Sequence, residues 1–149
     1  PLFFNHTTAY DLSLGLVGSE MCIRDRSKDL HLFKKQTIGF PVIMGSNTYE
    51  TLHHQLDGRD MIVVRRDDAP ESVLSKLAAE RCFIIGGGKT YSRFAPFLTH
   101  LYITPHPFVF GAGVRLFTDP ITELSLRFET MIAVDEIAGI YQYQYKVQE

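Results

Sequence analysis

Apolar and polar residues fall into blocks along most of this chain, and block length predicts its elements. Four short runs are almost continuously apolar: Pro41-Val-Ile-Met44, Met61-Ile-Val-Val64, Cys82-Phe-Ile-Ile85 and Leu101-Tyr-Ile-Thr104. Runs of that length and content suit strands buried on both faces. Segments with helical spacing lie between them. Leu30, Phe33 and Thr37 mark one face of a helix expected to start at Ser27, with Asp29 in its first turn and Gly39 and Pro41 as stop signals. A short helix follows Gly45, capped at Ser46 or Asn47 and running through Leu52. Pro70 opens another, with Val73, Leu74, Leu77 and Ala78 on its buried face. Thr90, Tyr91 and Phe94 keep helical spacing after Gly86-Gly87-Gly88. Two longer runs, 124–134 and 140–147, flank Asp135-Glu136 and predict an antiparallel hairpin. In the second, Tyr141, Tyr143, Tyr145 and Val147 share one face and Gln142, Gln144 and Lys146 the other, the pattern of a one-sided strand.

Short buried strands alternating with helices predict an α/β fold. The expected architecture is a single domain: a mixed, mainly parallel twisted sheet flanked by helices, with a C-terminal antiparallel hairpin. The chain has 149 residues, 45% hydrophobic and 21% charged, with a net charge of -2. That charge offers no basic surface for nucleic acid and no polybasic tail for a membrane. No apolar run is long enough to span a bilayer and no signal peptide is evident, so the expected location is the cytoplasm. Cys22 and Cys82 lack metal-ligand spacing, no metal is expected, and Cys82 reads as a buried free thiol.

Residues 1–26 break this order. The chain opens on Pro1 rather than Met, which reads as a fragment, and Gly15 and Gly18 interrupt any helix. Leu12 to Arg26 resembles the conceptual translation of a sequencing adapter. The expectation is a non-family segment, artefactual or poorly specified, ahead of a domain covering 27–149.

The chemistry concentrates at four places. Asp29 is a carboxylate on a helix next to apolar Leu30 and Phe33. Gly86-Gly87-Gly88 joins a buried strand to a helix, and glycine lets the backbone approach a flat or anionic group closely. A ligand-free corner is the alternative reading. Gly45, also at a strand end before a helix, is a second candidate phosphate site. Arg65-Arg66 closes a strand and suits bidentate phosphate binding, or a solvated strand end. Two phosphate-facing helix starts in one sheet suggest a dinucleotide.

At this point the chain resembles dihydrofolate reductase. The residues that carry the likeness are Asp29-Leu-His-Leu-Phe-Lys-Lys35, Gly39-Phe-Pro-Val-Ile-Met-Gly45, Asn47-Thr-Tyr-Glu-Thr-Leu52, Leu56-Asp-Gly-Arg59, Ile84-Ile-Gly-Gly-Gly-Lys-Thr-Tyr91 and Leu101-Tyr-Ile-Thr104. The resemblance implies NADPH-dependent reduction of dihydrofolate by a monomer. It implies that Asp29 is the active-site acid, supported by Thr104, and that Phe33, Leu52, Arg59 and Ile85 contact substrate, with Arg59 on the glutamate tail. It implies cofactor contacts from Gly45, Ser46, Thr48, Arg65 and Arg66, and from Ile85, Gly86, Gly87, Gly88, Lys89, Thr90 and Tyr91, with a cis peptide at Gly86-Gly87. Without the other motifs, Asp29 reads as a first-turn acid serving the helix dipole.

Three departures stand out. Ser46 replaces the arginine usual after that glycine. The family's first strand and its mobile loop should precede Asp29, and nothing in 1–26 matches them, so that strand reads as missing or replaced. Phe110-Gly-Ala-Gly-Val-Arg-Leu-Phe117 looks more like the glycine-rich segment of riboflavin-pathway pyrimidine reductases, which share the fold. Such a reductase, or a nucleotide-binding domain without turnover, is the alternative expectation.

Overall fold

A computed structural model describes residues 2–6, 20–52, 56, 58–107 and 115–148, with side chains described from residue 28 and not at 51–52. The strands are β1 (Leu2–His6), β2 (Val42–Gly45), β3 (Met61–Val64), β4 (Cys82–Gly86), β5 (His100–Ile103), β6 (Ser125–Asp135) and β7 (Ile140–Gln148). The helices are α1 (Glu20–Thr37), α2 (Ser46–Leu52), α3 (Pro70–Ser75) and α4 (Gly88–Phe94). The strands form one seven-stranded sheet in the order β3-β2-β4-β1-β5-β7-β6. The β1 to β5 pairings are parallel, and β7 pairs antiparallel to both β5 and β6. The expected mixed α/β sheet with its terminal hairpin is therefore present. Leu2–His6, in the segment where the family's first strand reads as missing or replaced, lies between β4 and β5.

Strand alternation divides the core between two faces. Ile43, Cys82 and Ile84 point to one face and pack with Tyr91, Phe94 and Leu98 of the α4 region. Val42, Met44, Phe83 and Ile85 point to the other and pack with Phe33 of α1 and with Leu56. β2 and β4 are thus apolar up to their terminal glycines because both sides are covered. Burial pushes the Cys82 thiol up to about 11. The folded protein is expected to protect Cys82 from a thiol reagent at pH 8, and mass spectrometry should find it modified only after unfolding.

The structure corrects three details of the sequence reading. First, α1 starts at Glu20, not Ser27. Glu20-Met-Cys-Ile-Arg contains no glycine or proline, so nothing stops the helix extending backwards. Asp29 then lies mid-helix, away from the dipole-favoured first turn. Second, α3 ends at Ser75, whose hydroxyl donates back to the Ser72 carbonyl at 3.0 Å, and Ala78 is exposed. Val73, Leu74 and Leu77 still pack on the core. Third, β7 is not one-sided. It lies inside the sheet, and Gln142 is fully buried where its face meets α1. Its amide exchanges hydrogen bonds with Gln36 at 2.7 and 3.0 Å and accepts one from Gln144 at 3.0 Å. Tyr145 and Val147 pack on the opposite face. A buried amide is tolerated when its polar atoms are satisfied. Lys28 of α1 adds a 2.5 Å ion pair to Asp135 at the hairpin turn.

Candidate active site

Gly45 and Gly86 end neighbouring parallel strands, so the chain turns away from the sheet twice at adjacent points. Open α/β sheets bind ligands in the crevice outside such strand ends. Here the crevice is a cleft of about 660 Å³. It gathers Gly45, Ser46, Thr48, Arg65, Arg66, Gly87, Gly88, Lys89 and Thr90, nine residues expected to meet a cofactor. Its lining includes Arg65, Arg66, Lys89 and Arg93 against one carboxylate, Asp119, a balance that favours a polyanion.

The glycines here are demanded by close approach. A Cβ at Gly45 would lie 2.9 Å from Thr90 Oγ1, and one at Gly86, where φ is +140°, would meet Thr48 Oγ1 at 3.2 Å. The Gly86-Gly87 peptide is cis, as the resemblance implied. The Tyr91 amide donates to the Gly87 carbonyl at 2.9 Å and Ser92 Oγ donates to the Gly88 carbonyl at 2.8 Å, which tie α4 to the turn. Arg93 then reaches across to β3's far end: it donates to the Arg65 carbonyl at 2.9 Å and to the Asp68 carbonyl. Asp68 in turn accepts from the Arg65 amide at 2.6 Å. Arg93 thus clamps the turn that presents the two exposed arginines.

A second group lies on the α1 face. Asp29 is only 2% exposed, and its Oδ2 sits 3.3 Å from His106 Nε2. Its Oδ1 is buried without a hydrogen-bond partner among the described residues. Burial raises the Asp29 pKa above the usual carboxylate value, opposed by His106 and, more weakly, by Thr104. Thr104 is itself buried beside it, at the end of β5. Phe33 lies one turn further along α1, and the Arg59 guanidinium sits 5.3 Å from its ring centroid. Arg59 also donates to Thr37 Oγ1 at 3.1 Å, while Thr37 donates to the Phe33 carbonyl at 2.8 Å. The two groups are joined through the core, because Phe33 packs with Met44 and Ile85, the residues just before Gly45 and Gly86.

A family model described as dihydrofolate reductase matches residues 16–107, more than half of the chain. The chain belongs to the dihydrofolate reductase family. It is 38% identical over 90 positions to the dihydrofolate reductase of Bacillus subtilis, covering 51% of this chain and 52% of that protein. It is 38% identical over 88 positions to dihydrofolate reductase type 3 of Salmonella typhimurium, covering 51% of this chain and 54% of that protein. Haloferax volcanii dihydrofolate reductase HdrB is 34% identical over 89 positions, covering 45% and 46%. The chain spans about half the length of these curated relatives.

Within this family member, Ile85 and Tyr91 are 2% and 1% exposed and sit beneath the glycine turn, in the two opposite core clusters. The Leu52 side chain and Gly111-Ala112-Gly113 lie outside the described residues. Sequence reasoning missed His106 and Arg93. Arg93 carried a faint signal, four residues after Lys89 on the same short helix. His106 carried none beyond its place two residues after Thr104.

Proposed function

We propose that this chain reduces 7,8-dihydrofolate with NADPH, acting as a cytoplasmic monomer. The observation that carries the reading is Asp29: a buried mid-helix carboxylate with one oxygen unclaimed among the described residues, joined through Phe33, Met44 and Ile85 to a glycine-walled cationic cleft. A carboxylate so placed is costly to the fold and is explained by a ligand that donates to it. The amidine-like edge of a pterin does so with paired charge-assisted hydrogen bonds. Asp29 would then favour protonation of the ring nitrogen beside the reduced carbon. Phe33 supplies an apolar wall, and Arg59, stacked on that ring, suits the glutamate carboxylate of the tail.

NADPH, when bound, supplies the hydride. The residues that would hold it are Gly45, Thr48, Gly87 and Gly88 on its phosphates and Arg65 and Arg66 on the 2′-phosphate. The chain's task is to keep donor and acceptor in register and dry. Family membership and the absence of a membrane-length apolar helix among the described residues support the reading.

The test mixes the purified chain with NADPH and dihydrofolate. Loss of the reduced-cofactor absorbance is expected. No loss, with turnover of a ribosylated pyrimidine instead, would replace dihydrofolate with that pyrimidine as the substrate. NADPH binding without binding of a methotrexate-type antifolate would mark a bare nucleotide module. Replacing Arg65 and Arg66 together with alanine is expected to raise the KM for NADPH roughly tenfold or more, the worth of a charge-assisted contact, while leaving that for NADH unchanged. Equal effects on both cofactors would remove the arginines from 2′-phosphate recognition.

A further inference from the structure

The Asp29 carboxylate is asymmetric. Oδ2 faces His106 Nε2 at 3.3 Å, and Oδ1 faces no hydrogen-bond partner among the described residues. Both side chains are buried, at 2% and 6% exposure. His106 stands between Pro105 and Pro107, just past β5. The flanking rings restrict the backbone on both sides, so the imidazole is presented from a stiff segment.

We propose that His106 is a positioning residue for Asp29: by holding Oδ2 it fixes the rotation of the carboxylate and leaves Oδ1 to receive the substrate's donor edge. The proposal rests on the reductase reading above and deepens it. Each carboxylate oxygen accepts more than one hydrogen bond, so a two-point grip on the substrate does not require His106 to leave. The His106 hydrogen bond is also the main opposition to the burial that favours the neutral acid, with its Coulombic attraction for the carboxylate second.

Other charged groups on the packed elements are directed elsewhere. On α1, Lys28 pairs with Asp135, and His31, Lys34 and Lys35 are exposed. From the loop before β3, Arg59 is engaged with Thr37 and Phe33. Among the described residues only His106 and Thr104 oppose the effect of burial on Asp29.

The test titrates Asp29 in the ligand-free full chain by carbon NMR of labelled aspartates, with D29N assigning the resonance. H106F fills the space without a donor, and H106Q keeps a donor without the charge. The Asp29 midpoint is expected to move up in H106F and by less in H106Q. In parallel, the KM for dihydrofolate should rise in H106F and be largely restored in H106Q, with the KM for NADPH unmoved in both. An Asp29 midpoint in either variant equal to that of the wild type would overturn the proposal, and H106Q decides if H106F does not fold by circular dichroism. A wild-type chain that fails to reduce dihydrofolate sinks the reductase reading, whereas the NMR titration still decides whether His106 governs Asp29.

Discussion

Asp29→Asn is expected to cut dihydrofolate turnover by about 10²–10⁴-fold, the range for a positioned acid–base group, while NADPH binding is spared. The separation follows from geometry. Asp29 belongs to the α1 face and contributes nothing to the lining of the cationic cleft. Fluorescence titration with NADPH and steady-state rates on the same preparation measure the two effects together. Turnover equal to the wild type's would take Asp29 out of the mechanism. A change in NADPH affinity as large as the change in rate would show that the two groups are not separable.

The same substitution should stabilise the ligand-free protein at neutral pH. Burial raises the folded-state pKa of Asp29 above its unfolded value. Between those two values the native state binds more protons, so stability falls as pH rises and the ionised acid is a net cost above them. Asparagine removes that cost and keeps the shape. Thermal unfolding should therefore show D29N melting higher than wild type near pH 7, with the gap closing at acid pH. A lower melting temperature near pH 7 would mean that the His106 contact outweighs burial.

Gly88→Ala is expected to destabilise the fold by about 1–3 kcal/mol, the usual cost of forcing an extra carbon into a packed site. A Cβ at Gly88 would sit 2.5 Å from Thr118 Cγ2, 3.1 Å from the Arg115 carbonyl oxygen and 3.3 Å from the Leu116 carbonyl oxygen. Two of those neighbours are backbone and cannot rotate away. The segment is also tied in place: the Thr118 amide donates to the Gly88 carbonyl at 3.4 Å, and the Asp119 amide donates to Ser92 Oγ at 3.0 Å. Relief therefore requires shifting the start of α4, which is the wall of the cleft, so NADPH affinity should fall together with stability. Denaturant unfolding and cofactor titration of G88A would read both. Wild-type stability would mean that the 115–119 segment yields at little cost.

Much of the fold was legible because its signals are local. Met61–Val64 was delimited to the residue, and the glycine turn between β4 and α4 announced itself through three successive glycines. The start of α1 was misread because Ser27 is a good cap, whereas Glu20 to Arg26 gives the helix no reason to stop; two local signals competed, and chain continuity prevailed. The polar face of β7 was misread because alternation reports which residues differ, not which side is covered. Coverage of Gln142 depends on Gln36, 106 positions away.

The candidate site divides along the same line. Residue types and spacing within single elements marked the glycines and the arginine pair as chemistry-bearing positions, since each lies in one short motif, whereas Asp29 was marked only by the order of several motifs together. Only the tertiary structure decided that Asp29 is buried, that one of its oxygens meets His106, and that Arg93 braces the turn carrying Arg65. These contacts link residues 77 and 28 positions apart, and their formation depends on which elements the sheet order brings together. Burial and pairing are properties of that juxtaposition, and no window of neighbouring residues contains them.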